Sequence, residues 1–280
     1  VSQLSVPEGT AQETLSITSR DGHIIDLRIY RPTAVCDPLP IFYWMHGGGY
    51  VLGSARQGDL FTLRAASELG MFAVSVEYRL APETPYPGPL EDCYEGLTHL
   101  VGNAAALNLD TDKIIIGGVS AGGGLCAGLG LLVRDRGAFS VLGQLLLYPM
   151  IDDRNVAATS DTLADTLVWT RAANLFGWQS YLGDLYGSND IPIYAAPARA
   201  TDLSGLPPTY LPVGDLDLFL DENIAYAQKL TRSGIPTHFH VFPGAYHGFN
   251  AFAPEAPASV ACNAEIFSFI AKMLGEADKN

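Results

Sequence analysis

One pentapeptide in the 280 residues combines a nucleophile with backbone suited to activating it: Gly118-Val119-Ser120-Ala121-Gly122. It follows the apolar run 113–117 and precedes a helical pattern that continues through Leu132, so Ser120 falls at a strand-to-helix turn. A serine on such a turn projects its hydroxyl from the carboxyl edge of a sheet, and flanking glycines let neighbouring backbone pass where a Cβ would clash. The start of the following helix favours the negative charge that develops during acyl transfer. A lone G-x-S-x-G also arises by chance in glycine-rich turns, so the motif requires chemical partners elsewhere in the chain.

The first partner is His46-Gly47-Gly48-Gly49, directly after the apolar run 41–45 and therefore at the same sheet edge. Three consecutive glycines allow backbone N–H groups to converge on one point, as the oxyanion of a tetrahedral intermediate requires. His46 is too local to this loop to serve as base and is assigned to shaping it. A serine hydroxyl needs a base, and the base needs an orienting carboxylate. Among six histidines, His247 is the best placed, in the turn Gly244-Ala245-Tyr246-His247-Gly248-Phe249 after the last strand pattern. His238 and His240 alternate within that strand and share a face directed at packing or solvent, while His23 in a hairpin turn and His99 on a helix suit surface roles. For the acid, Gly214-Asp215-Leu216-Asp217-Leu218 follows the run 209–213; Asp217 is the first choice and Asp215 its competitor, whereas Asp221 fits a helix N-terminus.

These groups need a scaffold that delivers them to one edge. Alternation and short apolar runs predict strands at 14–18, 24–30, 41–45, 72–77, 113–117, 143–148, 209–213 and 238–242. Helical spacing appears at 59–69, 90–106, 221–232 and 262–274, the third ending at Gly234 before Pro236. The alternation from residue 41 onward implies parallel strands joined by right-handed crossovers, after an antiparallel start. The expected fold class is α/β: a mostly parallel twisted sheet of about eight strands, flanked by helices. Residues 152–203 hold no strand pattern but carry Trp169, Phe176, Trp178, Tyr181, Tyr186 and Tyr194, and read as a small helical cap inserted between core segments 1–151 and 204–280.

Composition narrows the partners. At 48% apolar residues the chain can fill a core, and its formal charge of -14 opposes nucleic acid and anionic membranes, whose binding draws on Lys and Arg neutralising phosphates. The uncharged run 114–133 is long enough to span a bilayer, but its seven glycines suit a buried strand, turn and helix instead, so no membrane span is expected. Cys36, Cys93, Cys126 and Cys262 lack metal-ligand spacing and are expected as buried free thiols in a reducing compartment. Residues 1–12 show no signal peptide; a cytoplasmic protein is expected, with secretion left open because the first residue is Val1 rather than Met.

Six motifs together resemble the hormonesensitive-lipase-like family of α/β-hydrolase esterases, the bacterial family IV carboxylesterases: HGGGY at 46–50, EYRLAPE at 77–83, PLED at 89–92, GVSAGGG at 118–124, GDLDLFLDEN at 214–223 and YHGF at 246–249. The resemblance covers about residues 14–274 and implies Ser120 as nucleophile, Asp217 as orienting acid, His247 as base, and the N–H groups of Gly48, Gly49 and Ala121 as oxyanion hole. It further implies that Glu77 and Arg79 form a supporting polar network. Val119 departs from the Asp or Thr that family elbows usually carry, and the helical segment members usually have before the first strand is almost absent. That second departure predicts an open pocket and small, soluble esters as substrates.

The expected activity is a serine carboxylesterase working through an acyl-enzyme without cofactor or metal. Tyr50, Trp169 and Leu218 are expected at the pocket wall. The substrate is a small-molecule ester, and a homodimer is one arrangement the reading allows. Amide, formamide or lactone hydrolysis by the same triad remains open. So does a non-catalytic small-molecule receptor on this fold, although His247 argues for the enzyme.

Overall fold

One eight-stranded sheet sets the direction of every loop that matters. The structure, a computed structural model, describes residues 5–154 and 168–275. Strands β1 (Thr10–Thr18), β2 (Ile24–Pro32), β3 (Leu39–Met45), β4 (Phe72–Glu77), β5 (Leu109–Val119), β6 (Gly143–Leu147), β7 (Thr209–Gly214) and β8 (Thr237–Phe242) lie in the order β1-β2-β4-β3-β5-β6-β7-β8. β1 pairs antiparallel with β2 and β2 antiparallel with β4; all pairings from β3 onward are parallel. The expected fold class and antiparallel start hold.

The central strands are mostly buried and largely apolar, as at 41–45 of β3 and 114–116 of β5, because helices cover both their faces. On β3, Ile41, Tyr43 and Met45 join the cluster beneath α2 (Gly88–Gly102), α4 (Ala121–Arg136) and α6 (Leu220–Arg232). Phe42 and Trp44 point the other way, to α1 (Asp59–Leu69) and α8 (Pro257–Met273). β1, at the edge, is mostly exposed and carries the polar residues that such a position tolerates.

Two predicted helices differ in extent. The run expected at 90–106 breaks at Asn103, whose backbone N–H and side-chain Nδ2 both turn back to the His99 carbonyl, leaving a one-turn α3 (Ala104–Leu107). α8 starts at Pro257, earlier than the expected 262, because proline at the first helical position lacks only an N–H that would be unpaired anyway. The strand expected at 113–117 extends to Leu109–Val119, with Leu109 and Asp110 pairing to Leu39 and Pro40 across an irregularity in register. The uncharged run 114–133 divides into the end of β5 and α4, and among the described residues no helix is long and apolar enough to cross a membrane.

Between β6 and β7 the described residues contain α5 (Arg171–Leu182), with Thr170 Oγ1 accepting from the Ala173 N–H at its start, and no strand. Residues 155–167 of the segment expected as a cap lie outside the described residues. Trp178, Tyr181 and Leu182 bury one side of α5 against the β3-side cluster. α7 (Phe249–Phe252) is a single turn after His247. Cys93, Cys126 and Cys262 are buried free thiols as expected, but Cys36 is exposed: it lies in the loop between β2 and β3.

Candidate active site

Three strand ends deliver the polar residues. Ser120 occupies the junction of β5 and α4 with φ 57° and ψ -121°, a strained conformation for a residue with a side chain. Its N–H donates to the Leu147 carbonyl at 2.9 Å, and its own carbonyl accepts from Gly124 and Met150, each at 3.0 Å. Gly122 lets this turn press on the neighbouring strand end: a Cβ there would run into the carbonyls of Met45 and His46.

The loops after β7 and β8 bring Asp217 and His247 to the same point. His247 Nε2 lies 2.8 Å from Ser120 Oγ, and His247 Nδ1 lies 2.8 Å from Asp217 Oδ2. A carboxylate can only accept, so Nδ1–H donates to Asp217 and Nε2 is left to accept the serine proton. All three are nearly closed to solvent, with Ser120 7%, His247 5% and Asp217 0% exposed. Asp217 Oδ1 is occupied by the Phe219 N–H at 2.9 Å. Asp215 instead accepts from the Gly244 N–H at 2.6 Å, pinning the turn that leads to His247 without meeting its ring.

Aromatic edges fix the imidazole plane. Phe219 meets His247 at 5.1 Å and 89°, and Tyr148 meets it at 5.0 Å and 73°. The Tyr148 hydroxyl donates to Asn250 Oδ1 at 2.6 Å. Sequence reading missed Tyr148, Phe219 and Asn250, although Tyr148 directly follows β6 at the edge already singled out and Phe219 lies two residues after Asp217.

The glycine loop faces the elbow. Gly48 has φ 121° and its carbonyl accepts from Val51 at 3.1 Å and Leu52 at 2.9 Å, so the chain doubles back on itself at the loop. Among the described residues no carbonyl accepts from the N–H of Gly48, Gly49 or Ala121. His46 braces the loop: its Nδ1 is 2.7 Å from the Gly47 carbonyl, its ring stacks on Tyr78 at 4.1 Å, and the Tyr78 hydroxyl donates to the His46 carbonyl at 2.7 Å. Burial lowers its pKa to about 4, against the pull of the Gly47 carbonyl, so the ring is neutral at ordinary pH.

The three expected wall residues fare differently. Trp169 is half-buried, with its indole over Gly49 and its Nε1–H donating to Asn174 Oδ1 at 3.3 Å. It lines a cleft of about 280 Å³ with Val51, Leu52, Ala81, Glu83 and Phe176. Tyr50 and Leu218 correct the expectation, since neither side chain reaches an accessible surface. Tyr50 has φ 67°, which turns its ring inward to stack on Tyr181 at 4.0 Å, and Leu218 packs into the core behind Asp217. Glu77 and Arg79 also brace loops, but with separate partners. Glu77 accepts from the Ala55 N–H at 2.9 Å, while Arg79 forks onto Asp92 and reaches Asp21 at 2.7 Å. Among the described residues no group of three His, Cys, Asp or Glu side chains gathers in a metal-binding arrangement.

A family model described as an alpha/beta hydrolase fold matches residues 42–251. Carboxylesterase NlhH of Mycobacterium tuberculosis is 35% identical over 237 residues, spanning 84% of this chain and 74% of its own. Among solved structures, a bacterial heroin esterase superposes with a TM-score of 0.94 at 41% identity, over 98% of this chain and 87% of that one. A hyperthermophilic esterase from Pyrobaculum calidifontis gives 0.87 at 32% identity, over 94% and 86%.

Proposed function

The chain belongs to the α/β-hydrolase fold family, in its hormone-sensitive-lipase-like carboxylesterase branch, and on that premise we propose that Ser120, His247 and Asp217 hydrolyse short-chain carboxylic esters through an acyl-enzyme. Ester hydrolysis is the activity of the chain; the roles of the individual residues are our reading. The observation that carries it is the hydrogen-bonded line from Ser120 Oγ through the two ring nitrogens of His247 to Asp217.

Ser120 Oγ attacks the ester carbonyl carbon as His247 Nε2 takes the hydroxyl proton, and Asp217 holds the tautomer and steadies the resulting imidazolium. The carbonyl oxygen becomes an alkoxide that in this reading accepts from the N–H groups of Gly48, Gly49 and Ala121, none of which donates to a carbonyl among the described residues. Collapse of the intermediate breaks the C–O bond, and the alcohol leaves with the proton from His247. Water, deprotonated at Nε2, then attacks the acyl-enzyme and releases the acid.

In this reading the described part of the segment, 168–203, belongs to a cap and carries Trp169 over the glycine loop. The cleft that Trp169 lines, about 280 Å³, falls just below the roughly 300–1,000 Å³ that enclose drug-sized ligands; none of the triad residues lines it, and in this reading its Val51 and Leu52 side, next to the glycine loop, takes a short acyl group. The three buried free thiols support a reducing compartment such as the cytoplasm.

Stoichiometric labelling of Ser120 by an organophosphate, abolished in Ser120→Ala, tests the nucleophile. A protein that binds esters yet resists the reagent would instead be a receptor. Turnover compared across ester, lactone and anilide substrates tests the reaction class. An acetyl-to-palmitoyl series of aryl esters tests the cleft, and peak turnover at a long acyl chain would contradict the short-chain assignment.

A further inference from the structure

One buried carboxyl group has no part in this chemistry. Glu222 stands in the first turn of α6, five residues beyond Asp217, and is 8% exposed. Its Oε1 accepts from two backbone N–H groups of a distant segment, Ile151 at 2.9 Å and Asp152 at 3.3 Å. Asn223 beside it donates Nδ2 to the Pro149 carbonyl at 2.9 Å. Residues 149–152 are thus held along one side by the start of α6.

The same short strap holds the nucleophile from its other side. Met150 N–H donates to the Ser120 carbonyl at 3.0 Å, and the Met150 carbonyl accepts the Tyr50 hydroxyl at 2.8 Å. The acid loop is continuous with α6, since Leu220 N–H donates to the Asp217 carbonyl and Asn223 N–H to that of Phe219. One chain of hydrogen bonds therefore runs from the Ser120 backbone through Met150, Ile151 and Glu222 to the loop that carries Asp217. Burying a carboxyl is costly unless its acceptor capacity is used, and burial raises the pKa of this one well above the usual range despite its two N–H donors.

We propose that Glu222 is a positioning residue for ester hydrolysis: by accepting from Ile151 and Asp152 it fixes the strap that grips the Ser120 carbonyl, and so sets the nucleophile against the Asp217–His247 pair. This rests on the assignment of Ser120 as nucleophile. The serine is already in a strained turn, and a shift of about 1 Å in such a group is enough to cost on the order of 100-fold in rate.

The full-length protein is assayed with 4-nitrophenyl acetate, with kcat expressed per site titrated by an organophosphate so that misfolded protein does not count. Glu222→Leu is expected to lower kcat about 30- to 100-fold with KM within about twofold, because the chemical geometry is lost while ester binding is not. Glu222→Gln keeps an acceptor oxygen and is expected within about threefold of the parent. Tyr50→Phe releases the strap from its other side and is expected to lower kcat about threefold to fivefold. A parental kcat in Glu222→Leu, a loss appearing in KM instead, or a Glu222→Gln variant as impaired as Glu222→Leu overturns the proposal. If Glu222→Leu does not fold, Tyr50→Phe decides, and an unchanged kcat there overturns it. Activity surviving in Ser120→Ala would overturn the nucleophile assignment itself, an outcome separate from all of these.

Discussion

The two halves of the site are held in place by different means. Ser120 and the glycine loop are fixed mainly by backbone, with His46 and Tyr78 bracing the loop's start: a positive φ at the serine, another at Gly48, and a contact at Gly122 so tight that a methyl group would meet two carbonyls. Asp217 and His247 are fixed by side chains, through a carboxylate shared between a ring N–H and the Phe219 amide and through the edges of Phe219 and Tyr148. Strained backbone is rigid and unforgiving of substitution, whereas a side-chain cradle gives way in steps. The halves should therefore fail differently.

Asp217→Asn should have the largest effect, about 10³- to 10⁴-fold in kcat, since an amide can no longer impose the productive tautomer on His247. Its melting temperature should stay near the parent's; a large drop would mean that the side-chain half carries the fold as well as the chemistry. Gly122→Ala should instead strike stability, by about 3 kcal/mol in denaturant unfolding, because the obstructing atoms are backbone and have nowhere to go. A variant as stable as the parent would show that the elbow yields more than this contact implies.

Acid should load the backbone-held half selectively. The folded protein keeps His46 neutral down to about pH 4, whereas the unfolded chain protonates it near pH 6.5. The contribution to stability is complete above about pH 6.5 and shrinks as pH falls towards 4, a loss of about 3 kcal/mol across that window. His46→Gln should lack this share of the acid sensitivity, and an unaltered slope of unfolding free energy against pH would remove His46 from the account. Tyr148→Phe should be mildest, lowering kcat about threefold to tenfold at constant KM, for the loss of one hydrogen bond of about 1 kcal/mol to Asn250. A change in KM would mean that Tyr148 touches substrate.

What sequence could and could not reveal follows the same division. Backbone demands leave marks in residue type: G-x-S-x-G at the end of an apolar run, and three glycines after another, pointed to the elbow and the loop before any coordinate was known. Strand ends also narrowed the acid to Asp215 and Asp217, and the coordinates separate their jobs, one pinning a turn and the other meeting His247. The side-chain supports went unread because Tyr148, Phe219 and Asn250 are ordinary in kind: they lie close in sequence to a strand end or to a triad residue, but nothing in their type or spacing tells a ring packed on His247 from one packed in the core. Tyr50 was misplaced for a related reason: periodicity does not reveal that a positive φ turns a residue in a polar loop inward to the core. Helix breaks such as Asn103 depend on local side-chain competition for carbonyls, which apolar spacing does not register.

The glycines of α4 set a limit on how this protein could acquire new substrates. Added methyl groups at Gly123, Gly124, Gly128 and Gly130 would each press on a neighbour from another element, among them Pro149, Met150, Tyr194 and Gln144. The floor under the nucleophile has no spare volume, so directed evolution towards bulkier substrates should find its tolerated changes on the rim above Ser120, around Trp169 and Phe176, and almost none beneath it.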